Sequence, residues 1–134
     1  MSKPEILGIA PFFIVRNVPA ALKFYRDRLG FEITFQGPEP DDIFFGIVRR
    51  GGAMIIFKEI GVEPMPNYMR DIKKGIARWD AYVHVPDPDA LAAEFSSRNV
   101  EFFLPLQDND DGLRGFELKD TDGYLLFFGR PRRA

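Results

Sequence analysis

The sequence runs twice through the same order of elements, and this repetition limits its fold more than any other feature. Ile6 to Val15 (ILGIAPFFIV) is an apolar run of strand length in which Pro11 marks an end or edge of the ladder. In NVPAALKFYRDRLGF, Pro19 sits near the first helical position, Ala21, Leu22, Tyr25 and Leu29 recur at helical spacing, and Gly30 is a stop signal. That pattern predicts a helix over 19–29. Phe31 to Phe35 alternates with polar residues, GPEPDD turns the chain, and Ile43–Val48 and Ala53–Phe57 flank the Gly51-Gly52 turn. The first module, positions 6–59, therefore reads β-α-β-β-β. A polar stretch over 60–77, holding Pro64 and Pro66 and one turn of helix around MRDIKKG, links it to the second. Over 78–130 the order returns: a strand from Trp79 to Val85, then a helix over 88–98. Asp87 caps that helix, Pro88 opens it, and Leu91 and Phe95 are buried on it. Strands follow at Val100–Leu104, Leu113–Leu118 and Tyr124–Phe128, the last two joined by DTDG at Asp120–Gly123.

Val15 and Asn17 match Val85 and Asp87, whereas Gly30 and Glu32 match Asn99 and Glu101 one position early, which implies one residue lost within the second helix. Two copies of this size exclude a solenoid, which stacks shorter units and needs at least three. A helix on a four-stranded sheet leaves the other sheet face bare, so the two modules must cover each other. The expectation is an α+β fold of two tandem βαβββ modules, their curved sheets around a cleft, in one domain spanning 1–134. Aromatic residues can fill or line such a cleft: 14 Phe stand beside 4 Tyr and 1 Trp.

Several function classes drop out. With no Cys there is no disulfide framework, thiol nucleophile, zinc ribbon or iron–sulfur ligation. A net charge of −2 lacks the basic face that nucleic acid requires, and Arg130, Arg132 and Arg133 form only a tail. No window resembles a secretory signal or a membrane span, so the expected location is cytoplasmic, without membrane or nucleic-acid partners. The acidic run Asp108, Asp110 and Asp111 fails the calcium-loop pattern, because its sixth and twelfth positions are Leu113 and Lys119; it reads as a solvated turn. Neither GxxxxGK[ST] nor GxGxxG occurs.

In FIVRNVPAALKFYRDRLGFEI, VHVPDPDALAAEFSSRNVEF and FELKDTDGYLLFFGRP, the chain resembles the vicinal oxygen chelate superfamily of glyoxalases, bleomycin-resistance proteins and dioxygenases. The resemblance covers nearly the whole chain and lies nearest the metal-free bleomycin-resistance branch. It implies a homodimer whose cavities use residues of both chains. In metal-dependent relatives, the ligands stand at positions that correspond here to Ala10, Ile56, Asp80 and Phe127. Three of these lack donor atoms, whereas a catalytic site needs about three protein ligands. The resemblance thus points to a protein without metal or other cofactor that sequesters a small, largely apolar or aromatic organic ligand. The alternatives are a metal-dependent lyase or dioxygenase with an atypical site completed by a partner chain, and a structural dimer with filled clefts.

Strand alternation and the match between modules place the candidate ligand-binding residues on the concave faces. They are Phe12, Phe45, Met54, Ile56, Asp80, Tyr82, His84, Arg114, Phe116 and Phe127. The set is an apolar and aromatic lining with sparse polar groups, the usual makeup of a small-molecule pocket. His84 is the only histidine, with no nucleophile beside it in the pattern, so no catalytic residue is assigned.

Overall fold

Both helices begin as their sequences direct. Asn17 accepts the Ala20 N–H at 2.9 Å to open α1 (Val18–Asp27), and Asp87 accepts the Ala90 N–H at 3.0 Å to open α2 (Pro88–Ser97). In each, a proline occupies the first turn, where its missing N–H has no helical partner to lose. The computed structural model describes residues 2–68 and 78–132. Within them the strands are β1 (Phe12–Ile14), β2 (Glu32–Glu39), β3 (Asp42–Arg50), β4 (Ala53–Lys58), β5 (Ala81–His84), β6 (Leu104–Asp108), β7 (Leu113–Lys119) and β8 (Leu125–Pro131).

The repeat is reproduced strand for strand. One sheet has the order β1-β4-β3-β2 and the other β5-β8-β7-β6. β1 runs parallel to β4 and β5 parallel to β8, while the remaining pairs are antiparallel. Register fixes which positions correspond. Phe12 pairs with Ile56 where Tyr82 pairs with Phe127, and Phe13 pairs with Phe57 where Val83 pairs with Phe128. On the helix-bearing faces, Val15, Leu22, Tyr25 and Phe57 of the first module and Phe95, Phe116, Leu118 and Phe128 of the second join one buried cluster.

The second module's β7–β8 hairpin is pressed against the first module. Tyr124 stacks on Phe13 with ring centroids 4.1 Å apart, and its hydroxyl donates to the Ile14 carbonyl at 2.6 Å. Such a stacked pair adds about 0.5–1.5 kcal/mol beyond the area it hides.

Several element boundaries differ from the sequence reading, three of them for a visible reason. β1 keeps only Phe12–Ile14 of the apolar run, and Ile6, Leu7 and Ile9 stand 83%, 93% and 90% exposed. β2 continues through Gly37-Pro38 to Glu39 because Gln36, Gly37, Pro38 and Glu39 all keep partners on β3. β6 starts at Leu104 instead of ending there: Asn99 takes a left-handed φ of 62° and the Val100 N–H returns to the Phe95 carbonyl, so the following residues are spent leaving the helix. The lost residue lies in that exit and not within the helix, since α1 and α2 each have 10 residues. The turn of helix expected around 69–75 falls outside the described residues.

Candidate ligand-binding site

A groove of about 720 Å³ opens between the modules. Ala53, Met54 and Ile55 of β4 line one wall, Tyr82, Val83 and His84 of β5 another, and Leu91 and Phe95 of α2 a third. Arg50 bridges its rim, donating to both carboxylate oxygens of Glu94 at 2.8 Å. The hydrogen-bonded guanidinium holds the Glu94 carboxyl below its ordinary range. β5 is an edge strand whose hydrogen bonds to β8 run through alternate residues; the Val85 N–H, for example, donates to the Gly129 carbonyl. By that alternation the backbone groups of Tyr82 and His84 face the groove. The arrangement offers apolar walls and a few directed polar groups, enough to hold and orient a small molecule.

Behind Tyr82, the concave face of the second sheet carries a stack of rings. Phe127 lies flat over Gly115 and Gly129; a Cβ on Gly129 would meet its ring and the Arg114 carbonyl, and one on Gly115 would meet the Phe128 carbonyl as well as the ring, so only glycine fits at either position. Trp79 stacks on the other side of that ring at 4.3 Å, and Tyr82 sets its edge against both. His84 stacks on Tyr82 at 4.3 Å. Glu117, only 4% exposed, accepts the Trp79 indole N–H at 3.0 Å and borders a smaller recess of about 160 Å³. Desolvation raises its carboxyl above the ordinary value.

The structure distributes the expected site residues over several places. Met54, Tyr82 and His84 come together in the groove. Phe12, Phe45 and Ile56 share the concave face of the first sheet, where Phe12 is 53% exposed and Phe45 meets Phe35 edge-on. Phe127 is on the second concave face but is covered by Trp79. Asp80 is a fastener: one carboxylate oxygen accepts the Asn67 N–H and the other the Leu125 N–H, both at 2.8 Å.

Arg114 and Phe116 are not on a concave face. Phe116 packs its ring against Phe95, Phe102 and Phe128 beneath α2. Arg114, two residues away on the same side, binds Asp89 of α2 at 2.8 Å and Asp108 at 3.1 Å. Gly46 and Phe116 occupy corresponding register positions, facing Phe57 and Phe128, so the counterpart of Phe45 is Gly115. Sequence reasoning also missed Trp79 and Glu117. The signals were a lone tryptophan at the entrance to β5 and a carboxylate between Phe116 and Leu118 on an otherwise apolar strand.

A metal centre of the kind that enzymatic relatives carry does not fit these residues. Ala10, Ile56 and Phe127 have no donor atoms, and both oxygens of Asp80 are engaged by backbone N–H groups. Among the described residues, no group of three His, Cys, Asp or Glu side chains is placed to hold an ion. No helix among them is long and apolar enough to cross a membrane.

Comparison with known proteins agrees with this fold. The sequence model of the Glyoxalase/Bleomycin resistance protein/Dioxygenase superfamily matches residues 8–128. The bleomycin-binding protein of bleomycin-producing Streptomyces verticillus, solved with copper(II)-bleomycin, is 26% identical; the match covers 98% of this chain and 100% of that one, with a TM-score of 0.68. A glyoxalase/bleomycin resistance protein/dioxygenase from Alicyclobacillus acidocaldarius superposes with a TM-score of 0.72 at 18% identity, over 92% of this chain and 90% of that one. TioX from Micromonospora sp. ML1 gives 0.67 at 20% identity, over 92% and 99%. No protein of curated function matches the sequence.

Proposed function

Because the chain belongs to the glyoxalase/bleomycin resistance protein/dioxygenase superfamily, we propose that it works as a cytoplasmic binding protein that holds a small, largely apolar or aromatic organic molecule in the inter-module groove. Burial in the groove withdraws the ligand from its target, and no bond changes. The observation that carries this reading is the groove itself. Its volume of about 720 Å³ lies within the range typical of small-molecule sites, and its walls come from both modules. The copper(II)-bleomycin complex of the Streptomyces verticillus protein supports it by showing a similar chain with an organic ligand. Met54, Tyr82 and His84 contact the ligand, and the Trp79–Phe127 stack sets the position of Tyr82. A second copy of the chain completes the assembly, and the exposed Ile6, Leu7 and Ile9 supply apolar surface for the contact.

Trp79 is the only tryptophan and its ring lies 5.6 Å from that of Tyr82, so its fluorescence serves as a built-in reporter. A panel of aromatic compounds titrated against the protein should produce saturable changes in that signal, weakened at least fivefold in Tyr82→Ala. A panel without a saturable binder counts against the reading.

A further inference from the structure

The two modules should meet in two equivalent ways, once on each side of the repeat, and only one of these meetings is filled. On the filled side, Tyr124 stacks on Phe13 and donates its hydroxyl to the Ile14 carbonyl at 2.6 Å. Tyr25 of α1 donates to Asp120 at 2.7 Å and closes the junction. Register and helix alignment name the counterparts on the other side. Ala53 stands for Tyr124, Val83 for Phe13, His84 for Ile14, Phe95 for Tyr25, and Arg50 for Asp120. Of these pairs, Ala53 and Val83 are small where Tyr124 and Phe13 are large, and the groove of about 720 Å³ lies between them.

The other features of the junction persist on the open side. Ile14 turns its carbonyl away from β4, because the N–H of Val15 is the one that reaches Lys58. His84 turns its carbonyl away from β8 in the same manner, because the N–H of Val85 reaches Gly129. The strand edge therefore presents an acceptor where, in the filled junction, a phenolic hydroxyl is received. Arg50, bonded to Glu94 and 6.0 Å above the centre of the Phe95 ring, is already neutralised and makes no demand for charge on a ligand.

The geometry points to a hydroxylated aromatic ligand, a fused or substituted phenol, whose ring takes in this groove the place that the Tyr124 ring takes in the opposite junction, with its hydroxyl donating to the His84 carbonyl. The assignment rests on the ligand-binding reading above and specifies its chemistry. The chain carries its own example of the occupant, and the cavity exceeds one ring, which favours the larger phenols. Stacking and one directed hydrogen bond supply the recognition.

The test is calorimetric titration at neutral pH with 2-naphthol and with its methyl ether, 2-methoxynaphthalene, which keeps the rings and the oxygen but has no proton to donate. Wild-type protein should bind the naphthol about tenfold more tightly than the ether, the upper end of what one neutral hydrogen bond contributes. Ala53→Tyr should refill the junction, abolish binding of both compounds and raise the thermal midpoint. Val83→Phe fills the groove from the opposite wall and decides the matter if Ala53→Tyr does not fold. Equal affinities for the two compounds overturn the hydroxyl assignment and leave the aromatic-ligand reading standing. Wild-type affinity in both filled variants overturns the site. Absence of saturable binding of either compound to wild-type protein overturns the phenol assignment, while the aromatic panel titrated against Trp79 fluorescence decides the binding reading separately.

Discussion

The hydroxyl of Tyr25 donates to Asp120 Oδ2 at 2.7 Å, so α1 of the first module is hydrogen-bonded to the β7–β8 turn of the second. Both groups are buried, and the other oxygen of Asp120 accepts the N–H groups of Asp122 and Tyr124. Tyr25→Phe removes the one donor among the described residues that reaches Oδ2 and leaves that oxygen unsatisfied. The expected cost is about 1–3 kcal/mol of folding stability, measured by urea unfolding. A loss below experimental error would show that the module junction does not depend on this bond.

Asp120 also gives stability a pH dependence of unusual sign for a carboxylate. Burial pushes its pKa up to about 6, although the Tyr25 hydroxyl and two backbone N–H groups pull the other way. The folded state thus holds a proton that the unfolded chain, titrating near an ordinary aspartate value, gives up. This contribution is fully present below about pH 4 and is lost as pH rises through about 6, an effect of roughly 3 kcal/mol. Asp120→Asn should lack that decline, so the stability difference between the two proteins changes by this order between pH 4 and pH 7. Parallel stability curves across that range would refute it.

Arg114 tests which sheet face serves the ligand. Its guanidinium reaches out to Asp89 and Asp108 on the helix-bearing side of β7, away from the groove residues Tyr82 and His84. Arg114→Ala should therefore leave affinity for any groove ligand within twofold, with a small stability loss that shrinks further in high salt. A large drop in affinity would return this strand to the binding face.

The dimer proposed above rests on the N-terminal arm. Ile6, Leu7 and Ile9 expose apolar surface that one chain leaves uncovered. Sedimentation velocity should find wild-type protein at twice the chain mass, and Ile6→Asp with Leu7→Asp at the monomer mass. A wild-type monomer at micromolar concentration would rule the arm contact out.

Element order was legible because its signals are local. Asn17 and Asp87 cap where expected, and Gly30 and Asn99 both take the left-handed conformation that ends a helix. The facing of β7 was not. Alternation separates Arg114 and Phe116 from Gly115 and Glu117, but hydropathy cannot say which set faces the helix when both sheet faces are covered. Alternation and the match between modules put Phe116 inward, whereas the glycine beside it is the informative residue, since it leaves room for Phe127. The groove was equally hidden. It arises from two small residues, Ala53 and Val83, set against large ones in a repeat whose copies are otherwise alike, and smallness has no pattern of its own along a sequence.

The seat of Phe127 bears on how such chains change over evolutionary time. The position that the family resemblance aligns with a metal ligand is held here by a ring resting on Gly115 and Gly129 and roofed by Trp79. Exchanging that ring for a carboxylate or imidazole would supply one donor and open a void above two glycines, with an indole left unsupported over it. Restoring a side chain at either glycine is blocked as well, because its Cβ would strike the ring and also the neighbouring backbone, the Phe128 carbonyl at Gly115 and the Arg114 carbonyl at Gly129. Each single step is therefore costly, and a seat filled by a ring is separated from one that offers a donor by a valley in stability.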